Sequence, residues 1–137
     1  MALIAGTLGC GGASSWAEQV QPASAYAAVI DALQGTKAVR LTTDLSECTY
    51  EDAGKPGPSL RSGIVVNAYI IVPNRGLFFS DVHQTLDETD QPVTEYVRYR
   101  FTTDGQLKLA RTRVAGSVAI KQDTIVCEVP RGARFVW

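Results

Sequence analysis

The chain has 137 residues, with 13 lysines and arginines against 14 aspartates and glutamates, so its formal net charge is −1. This length suits one domain built around one hydrophobic core. Hydrophobic residues make up 45% and charged residues 20% of the chain, which is ordinary for a folded globular domain. The near-neutral charge argues against a general binder of nucleic acids or of anionic membranes.

The first 17 residues have several features of a secretory signal peptide. Residues 1–17 carry no charged side chain, and an apolar run precedes a stretch rich in small residues. Ser15 and Ala17 place small residues at positions −3 and −1 of a cleavage site before Glu18. The basic residues that usually begin such a signal are missing, since the first lysine or arginine is Lys37.

A lipoprotein signal is the alternative interpretation of this segment. Cys10 would then carry the lipid, although Thr7 stands where such signals usually have leucine. With either signal Cys10 takes no part in the fold, and residues 18–137 are expected to form a single domain in the periplasm or outside the cell. The segment is too short and too rich in glycine to span a bilayer stably, so no transmembrane segment is predicted.

Two of the three cysteines, Cys48 and Cys127, remain in the expected mature chain. An even pair of cysteines in an exported protein is expected to be oxidised, so we predict a disulfide between them. This disulfide would close a long loop, for which the chain-entropy relation gives about 4–5 kcal/mol of stabilisation. Two buried free thiols are the alternative.

One amphipathic helix is predicted at residues 25–34. Ser24 suits its N-cap, and Gly35 suits the position just after its C-terminus. Its apolar residues recur at helical spacing and share one face: Tyr26, Val29, Ile30 and Leu33. No later segment has a comparable helical period.

The chain after Lys37 is predicted to consist of strands and turns. Strands are expected at residues 38–43, 63–72, 77–86, 93–102, 106–114, 117–121, 124–129 and 133–137, with a loop at 51–62. Residues 63–72 are apolar on both alternating sets, which is typical of a central strand covered on both faces. We therefore predict an α+β fold, with the N-terminal helix packed on a strongly bent antiparallel sheet of about six to eight strands. A small closed β-barrel with a flanking helix is the alternative.

Four parts of the sequence together suggest a known family. They are VRLTTDLSECT at 39–49, LFFSDVH at 77–83, EYVRYR at 95–100, and Cys127 followed by the ending at 132–135. In this order and spacing they resemble the VirK-like family of small exported bacterial proteins, and the resemblance covers residues 33–135. It implies export and a link to host interaction or virulence, and it implies no particular biochemical activity.

Asp81 and His83 are the candidate catalytic or metal-binding residues. His83 is the only histidine, and Asp81 lies two positions earlier on the same predicted strand, so both side chains share one face. Such a pair can orient an imidazole for general-base catalysis or supply two metal ligands, with a third group from Asp44, Ser46 or Glu95. The alternative is a surface pair bonded to each other or to the backbone. A single histidine excludes zinc sites built on two or three histidines.

An arginine-rich ligand-binding face is predicted on the hairpin around residues 104–105. With a two-residue turn, one face would carry Tyr96, Arg98, Arg100, Arg111 and Arg113. Four like charges on one face need acidic neighbours or an anionic ligand. With a three-residue turn at 103–105 the register shifts by one, and Arg111 and Arg113 leave this face. The sequence leaves both registers open.

The preferred function is a non-enzymatic binding or host-interaction protein that uses this face on an anionic ligand or a cell-surface component. Neutralisation by acidic residues such as Glu88 is the alternative for the face. A carrier of a small hydrophobic ligand is the second hypothesis, against a core filled by the helix. A hydrolase or metal-dependent enzyme around Asp81 and His83 is the third. The sequence contains no common nucleotide-binding, hydrolase or zinc-ribbon signature, and no cofactor is predicted.

Overall fold

The computed structural model describes residues 22–137, so the predicted signal peptide and Cys10 lie outside the described residues. This part of the chain forms one α-helix and nine β-strands. Helix α1 spans Pro22–Gln34, and a short 3₁₀ helix, Leu45–Glu47, follows the first strand. The strands β1 to β9 are, in chain order, Arg40–Asp44, Thr49–Tyr50, Arg61–Val65, Tyr69–Val72, Gly76–Leu86, Pro92–Phe101, Gln106–Ala115, Val118–Glu128 and Ala133–Val136.

The strands form two antiparallel sheets. The smaller sheet has the order β3-β1-β9, and the larger sheet has the order β2-β8-β7-β6-β5-β4. The predicted α+β class, with one helix and a bent antiparallel arrangement, is confirmed. The strands of residues 22–137 do not close into a barrel, so that alternative is wrong. The predicted strands at 117–121 and 124–129 are one continuous strand, β8.

The central strand predicted at residues 63–72 is wrong, because this stretch forms two edge strands. Residues 66–68 separate β3 from β4 and carry the chain from the smaller sheet to the larger one. Val66 is buried in this crossing, and its amide donates a hydrogen bond to the Val39 carbonyl. Ile70, on β4, is 66% exposed. The apolar run therefore serves two sheets and does not mark a strand covered on both faces.

The hairpin between β6 and β7 has the three-residue loop, 103–105. The Thr102 amide donates to the Gln106 carbonyl across this loop at 2.8 Å. Gly105 has a φ of 91°, which lies in the left-handed region that glycine enters without a side-chain clash. The glycine thus selects the longer of the two turns that the sequence allows.

Helix α1 covers the part of the larger sheet that forms the core. Val29 and Leu33 are buried, and Tyr26 and Ile30 pack against the same core, so the predicted apolar face of the helix is confirmed. The Tyr26 ring lies 5.4 Å from the ring of Phe101 on β6. We call this part of the sheet face the apolar half; it is formed by Leu77, Phe79, Tyr99, Phe101, Leu107, Leu109, Ile125 and Cys127.

Cys48 and Cys127 form the predicted disulfide, with a Cα–Cα distance of 4.5 Å. Cys48 comes directly before β2, and β2 pairs with β8 so that Thr49 lies opposite Val126. The two cysteines therefore face each other across adjacent strands, and both are buried. The bond links the segment after β1 to the edge of the larger sheet.

Candidate functional site

The inner face of the larger sheet divides into the apolar half and a charged half. Odd-numbered residues of β5, β6 and β7 point inwards, and those beneath α1 are aromatic or aliphatic. Further along the same strands, charged side chains take several of the inward positions, with Val93 and Val97 of β6 buried among them. We call these charged residues, with one from β8, the inner charged cluster; they are Asp81, His83, Glu95, Arg111, Arg113 and Asp123.

His83 lies between two carboxylates. Its Nδ1 is 2.9 Å from Oδ2 of Asp81, and its Nε2 is 3.2 Å from Oε2 of Glu95. Asp81 is two residues away on β5, and Glu95 is directly opposite His83 on β6. Strand alternation and strand pairing together therefore bring all three side chains to one place.

The two arginines of the cluster are held by internal ion pairs. Arg111 makes a bidentate contact with Asp123, through Nε–Oδ1 and Nη2–Oδ2 distances of 2.7 and 2.6 Å. Arg113 contacts Glu95 through an Nη2–Oε1 distance of 2.8 Å and also reaches Glu88 at 3.3 Å. The hydrogen bonds with Asp123 and Glu95 raise the pKa values of Arg111 and Arg113 respectively. Both guanidinium groups thus stay charged and occupied.

Tyr99 marks the border between the two halves of the inner face. Its side chain is buried, and its ring stacks on Phe79 with a centroid distance of 4.8 Å. Burial raises the pKa of the Tyr99 phenol, and the nearby carboxylates of Asp81 and Glu95 raise it further. The phenol is therefore neutral throughout the ordinary pH range, and it contributes no charge to the cluster.

The inner charged cluster is part of the wall of an open cleft of about 630 Å³. The larger sheet supplies Asp81, His83 and Glu95 to this cleft, and β3 of the smaller sheet supplies Ile64 and Val65 on the other side. The cleft thus lies between the two sheets, and Asn67 of the crossing at residues 66–68 also lines it. A polar ligand can therefore approach the cluster from solvent.

Accessibility differs sharply within the cluster. The side chains of Arg111 and Asp123 are each 10% exposed, and that of Arg113 is 14% exposed. Those of Asp81 and His83 are 33% and 43% exposed. Within the cluster, a ligand thus meets Asp81 and His83 first, because Arg111 and Arg113 are covered and already paired. Across the cleft, Arg61 of β3 is 84% exposed and is paired with Asp44.

The five residues predicted to form one ligand-binding face are split between the two sides of the sheet. Tyr96, Arg98 and Arg100 are on the outer face, whereas Arg111 and Arg113 are on the inner face. The three-residue loop causes this split, since it sets Arg111 opposite Val97 and not opposite Arg98. The predicted shared face is wrong, and ligand binding by these five residues stays a prediction.

The two arginines left on the outer face have different surroundings. The guanidinium of Arg100 lies 5.5 Å from the centroid of the Phe78 ring, and its Nε has no hydrogen-bond partner in residues 22–137. Arg98 is exposed and lies opposite Ser80 and Ala110, and it makes no ion pair within the described residues. Of the four arginines predicted to share one face, the outer face therefore carries only two, one stacked and one exposed.

Of the three residues suggested as a third group beside Asp81 and His83, only Glu95 joins them. Asp44 instead pairs with Arg61 and accepts a hydrogen bond from the Ser46 amide at the start of the 3₁₀ helix. Asp123 was not among the site residues expected from the sequence. The sequence did contain a signal for Asp123, because an aspartate within an otherwise strand-forming segment needs a partner. Which residue lies opposite it depends on the register of β7.

No group of three or more histidine, cysteine, aspartate or glutamate side chains in residues 22–137 is arranged to hold a metal ion. Within the same residues, no helix has the length and apolar character needed to cross a membrane. The cluster is therefore best described as a network of ion pairs in which His83 has two carboxylate neighbours.

A protein-family model described as VirK protein matches residues 22–118. The chain belongs to the VirK family. This confirms the resemblance carried by the four sequence strings.

Two curated relatives are "Uncharacterized protein in pinF2 3'region" of Rhizobium radiobacter, 36% identical over 75 residues, and "Uncharacterized protein y4wH" of Sinorhizobium fredii, 36% identical over 74 residues. The alignments cover 55% and 54% of this chain and 52% and 51% of the relatives. This VirK-family chain thus spans about half the length of the curated relatives it matches.

The fold also matches a solved structure of the VirK family. The crystal structure of lpg1832, a VirK family protein from Legionella pneumophila, has a TM-score of 0.71 to this chain at 20% sequence identity. The match covers 82% of this chain and 95% of that one. At this identity the likeness shows the fold alone.

Proposed function

We propose that this VirK-family protein is an exported, virulence-associated binding protein, and that its cleft binds a cationic group of its ligand. One observation carries the proposal: within the inner charged cluster Arg111 and Arg113 are covered and held by internal ion pairs, while Asp81 and His83 stay accessible. The protein acts by binding, without covalent chemistry.

Two features support export to an oxidising compartment. The disulfide between Cys48 and Cys127 is of the kind that persists outside the cytosol. The uncharged N-terminal segment with small residues before Glu18 has the pattern of a signal peptide. Family membership suggests the association with virulence, which agrees with a role in host interaction.

The charge balance of the cluster favours a cationic ligand over an anionic one. Three carboxylates, those of Asp81, Glu95 and Asp123, stand against two guanidinium groups. The ion pairs leave one carboxylate of the cluster without a guanidinium partner, that of Asp81, which is 33% exposed and lies beside His83. An ammonium or guanidinium group can bond this carboxylate without displacing a buried pair. Within the cluster, an anion would have to compete with Asp123 or Glu95 for a covered arginine.

Burial of so many charges supports a functional role for the charged half. Taking ionised groups out of water is costly, and even a well-paired buried salt bridge often stabilises a fold less than apolar packing would. The apolar half of the same face shows that these strands accept a hydrophobic layer. Charged residues at the inward positions next to an open cleft therefore fit binding better than they fit folding.

An enzyme is the second candidate, because Asp81, His83 and Glu95 converge in the cleft. A general base needs a ring nitrogen free to accept a proton. Both nitrogens of His83 face carboxylates, so one contact must break before a ring nitrogen can take a proton from a substrate. Hydrolysis of nitrophenyl esters that disappears in His83→Gln would favour the enzyme. The carrier hypothesis has less support, since α1 covers the apolar half.

Lysine amide is a suitable probe for the cationic site. His83 is the only histidine, so its ring signals in a proton–nitrogen NMR spectrum need no assignment by mutation. We expect these signals to shift in a saturable way as lysine amide is added, and not when acetate is added. Asp81→Asn should weaken the apparent affinity for lysine amide about tenfold, since a charge-assisted hydrogen bond is lost.

Asp90→Asn is the matched control for this titration. Asp90 is exposed in the loop between β5 and β6, and its φ of 61° is a conformation that asparagine adopts readily. This control should bind lysine amide as the unaltered protein does. If acetate shifts the His83 signals and lysine amide does not, the proposed cationic site is wrong.

A further inference from the structure

Strand β5 has a long stretch with no neighbour on one side. β4 pairs with β5 only as far as Phe79, whereas β6 pairs with β5 along its full length to Leu86. Within the described part of the chain, residues 80–86 therefore form a free sheet edge, and this edge borders the cleft. We call residues 80–86 the open edge.

The backbone groups that face away from β6 can be identified from the pairing. The Asp87 amide donates to the Gln91 carbonyl, so this is a hydrogen-bonded pair of the β5–β6 ladder. Hydrogen-bonded pairs recur at every second residue of an antiparallel ladder. Odd-numbered residues of β5 thus bond to β6, and the amides and carbonyls of Val82, Gln84 and Leu86 point to the open side.

The open edge has one of the features that normally block the addition of a further strand, the inward-pointing charge of Asp81, but it lacks the others. Its sequence, SDVHQTL, contains no lysine and no proline, and its pairing with β6 runs without a bulge. The other free edge of this end of the sheet, on β8, has both a lysine, Lys121, and a register shift opposite Arg113. The β8 edge is thus protected against the addition of a strand, whereas the open edge of β5 can still pair with one.

The side chains of the open edge indicate which segment would pair with it. Asp81 and His83 point into the cleft, where Asp81 offers an exposed carboxylate. Val82 and Leu86 point to the outer face and are 57% and 56% exposed. A strand added here places alternate side chains on these two faces. Basic side chains suit the cleft side, and apolar side chains suit the outer side.

We infer that the open edge binds an extended segment of another protein as an additional strand, with basic side chains in the cleft and apolar side chains over Val82 and Leu86. Main-chain hydrogen bonds to the open edge supply affinity, and the Asp81 carboxylate supplies the preference for lysine or arginine. This inference rests on the proposed function, because the basic side chain of the segment is the cationic group that the cleft binds.

A second copy of this chain fits the open edge less well. Antiparallel pairing of two open edges about Val82 would set each Asp81 opposite the His83 of the other copy, but each Asp81 already contacts the His83 of its own chain. Such pairing therefore adds no new charge partner on the cleft side. A basic segment from another protein does offer it.

The test uses a fluorescently labelled peptide of alternating lysine and valine and measures its binding by anisotropy. Gln84→Pro removes an amide from the open side and keeps the ladder to β6, since Gln84 does not bond to β6. We expect this variant to bind the peptide about tenfold more weakly, because one hydrogen bond is lost and the added strand is displaced. Gln84→Ala, which keeps the amide, should bind normally. Circular dichroism of both variants checks that each is folded.

Peptide variants separate this inference from the proposed function. A lysine–valine peptide with alternate amides methylated should bind weakly, and a glutamate–valine peptide should not bind. If the peptide binds equally to Gln84→Pro and to the unaltered protein, strand addition is wrong although the cationic site stands. If the peptide does not bind while lysine amide still does, strand addition is again wrong. Self-association that Gln84→Pro abolishes would overturn the choice of a foreign segment.

Discussion

Replacing Cys48 and Cys127 together by alanine is expected to lower the free energy of unfolding by about 4.5 kcal/mol. The two cysteines are 79 residues apart in sequence, so the disulfide removes much of the freedom of the unfolded chain. Both sulfurs are buried between β2 and β8, so their removal also leaves poorly filled space. Urea denaturation of the protein, followed by circular dichroism, measures the change.

The disulfide prediction has a chemical control in the reduced but otherwise unaltered protein. Reduction removes the covalent bond and keeps the sulfur atoms, so it should reproduce most of the loss. The surroundings of the disulfide are tightly packed, because a Cβ at Gly132 would lie 2.7 Å from Sγ of Cys48. A loss below about 1 kcal/mol in the double alanine variant would show that the loop constraint contributes little.

Removing one partner of the Arg111–Asp123 pair is expected to destabilise the fold by about 3 kcal/mol. Both side chains are 10% exposed and bond each other in a bidentate geometry. Asp123→Leu would leave the guanidinium covered and without its carboxylate. Arg111→Met combined with Asp123→Leu removes both charges and should recover most of the stability. Thermal and urea unfolding of the three proteins measure these differences.

Arg61→Met is the matched control for the buried pair. Arg61 contacts Asp44 at a similar distance of 2.8 Å, but its side chain is 84% exposed. An exposed pair of this kind contributes less than about 1 kcal/mol. If Asp123→Leu lowers the free energy of unfolding no more than Arg61→Met does, the buried Arg111–Asp123 pair behaves like an exposed pair, and the prediction is wrong.

The features that depend on local pattern could be predicted from the sequence. Helix α1 follows from the spacing of Tyr26, Val29 and Leu33, and the disulfide follows from cysteine number and expected export. The pairing of Asp81 with His83 follows from their spacing of two on one strand. Each of these depends on neighbours in sequence or on covalent chemistry.

Features that depend on register or on the path between sheets could not be predicted. Asp104 and Gly105 suit both a two-residue and a three-residue loop, and the choice decides which face receives Arg111 and Arg113. The cleft exists because the chain crosses between sheets at residues 66–68, within an apolar run that resembles one strand. The inner charged cluster depends both on the hairpin register and on the crossing between the sheets, so only part of the cluster could be predicted from the sequence.

Asp81 and His83, the accessible pair in the cleft, are proposed to serve binding, whereas the covered pair beside them, Arg111 and Asp123, must stay intact for the fold. Removal of an accessible pair and loss of one partner of a covered pair should lower the free energy of unfolding by different amounts. Asp81 and His83 are partly exposed, and Glu95 keeps its contact with Arg113 when His83 is lost.

The most direct measurement is the free energy of unfolding of the double variant Asp81→Asn with His83→Gln. We predict a change of less than about 1 kcal/mol from the unaltered protein, because partly exposed pairs contribute little to stability. A loss of about 3 kcal/mol, equal to that expected for the Arg111–Asp123 pair, would contradict the claim. It would make Asp81 and His83 part of the structural ion-pair network and not a binding site.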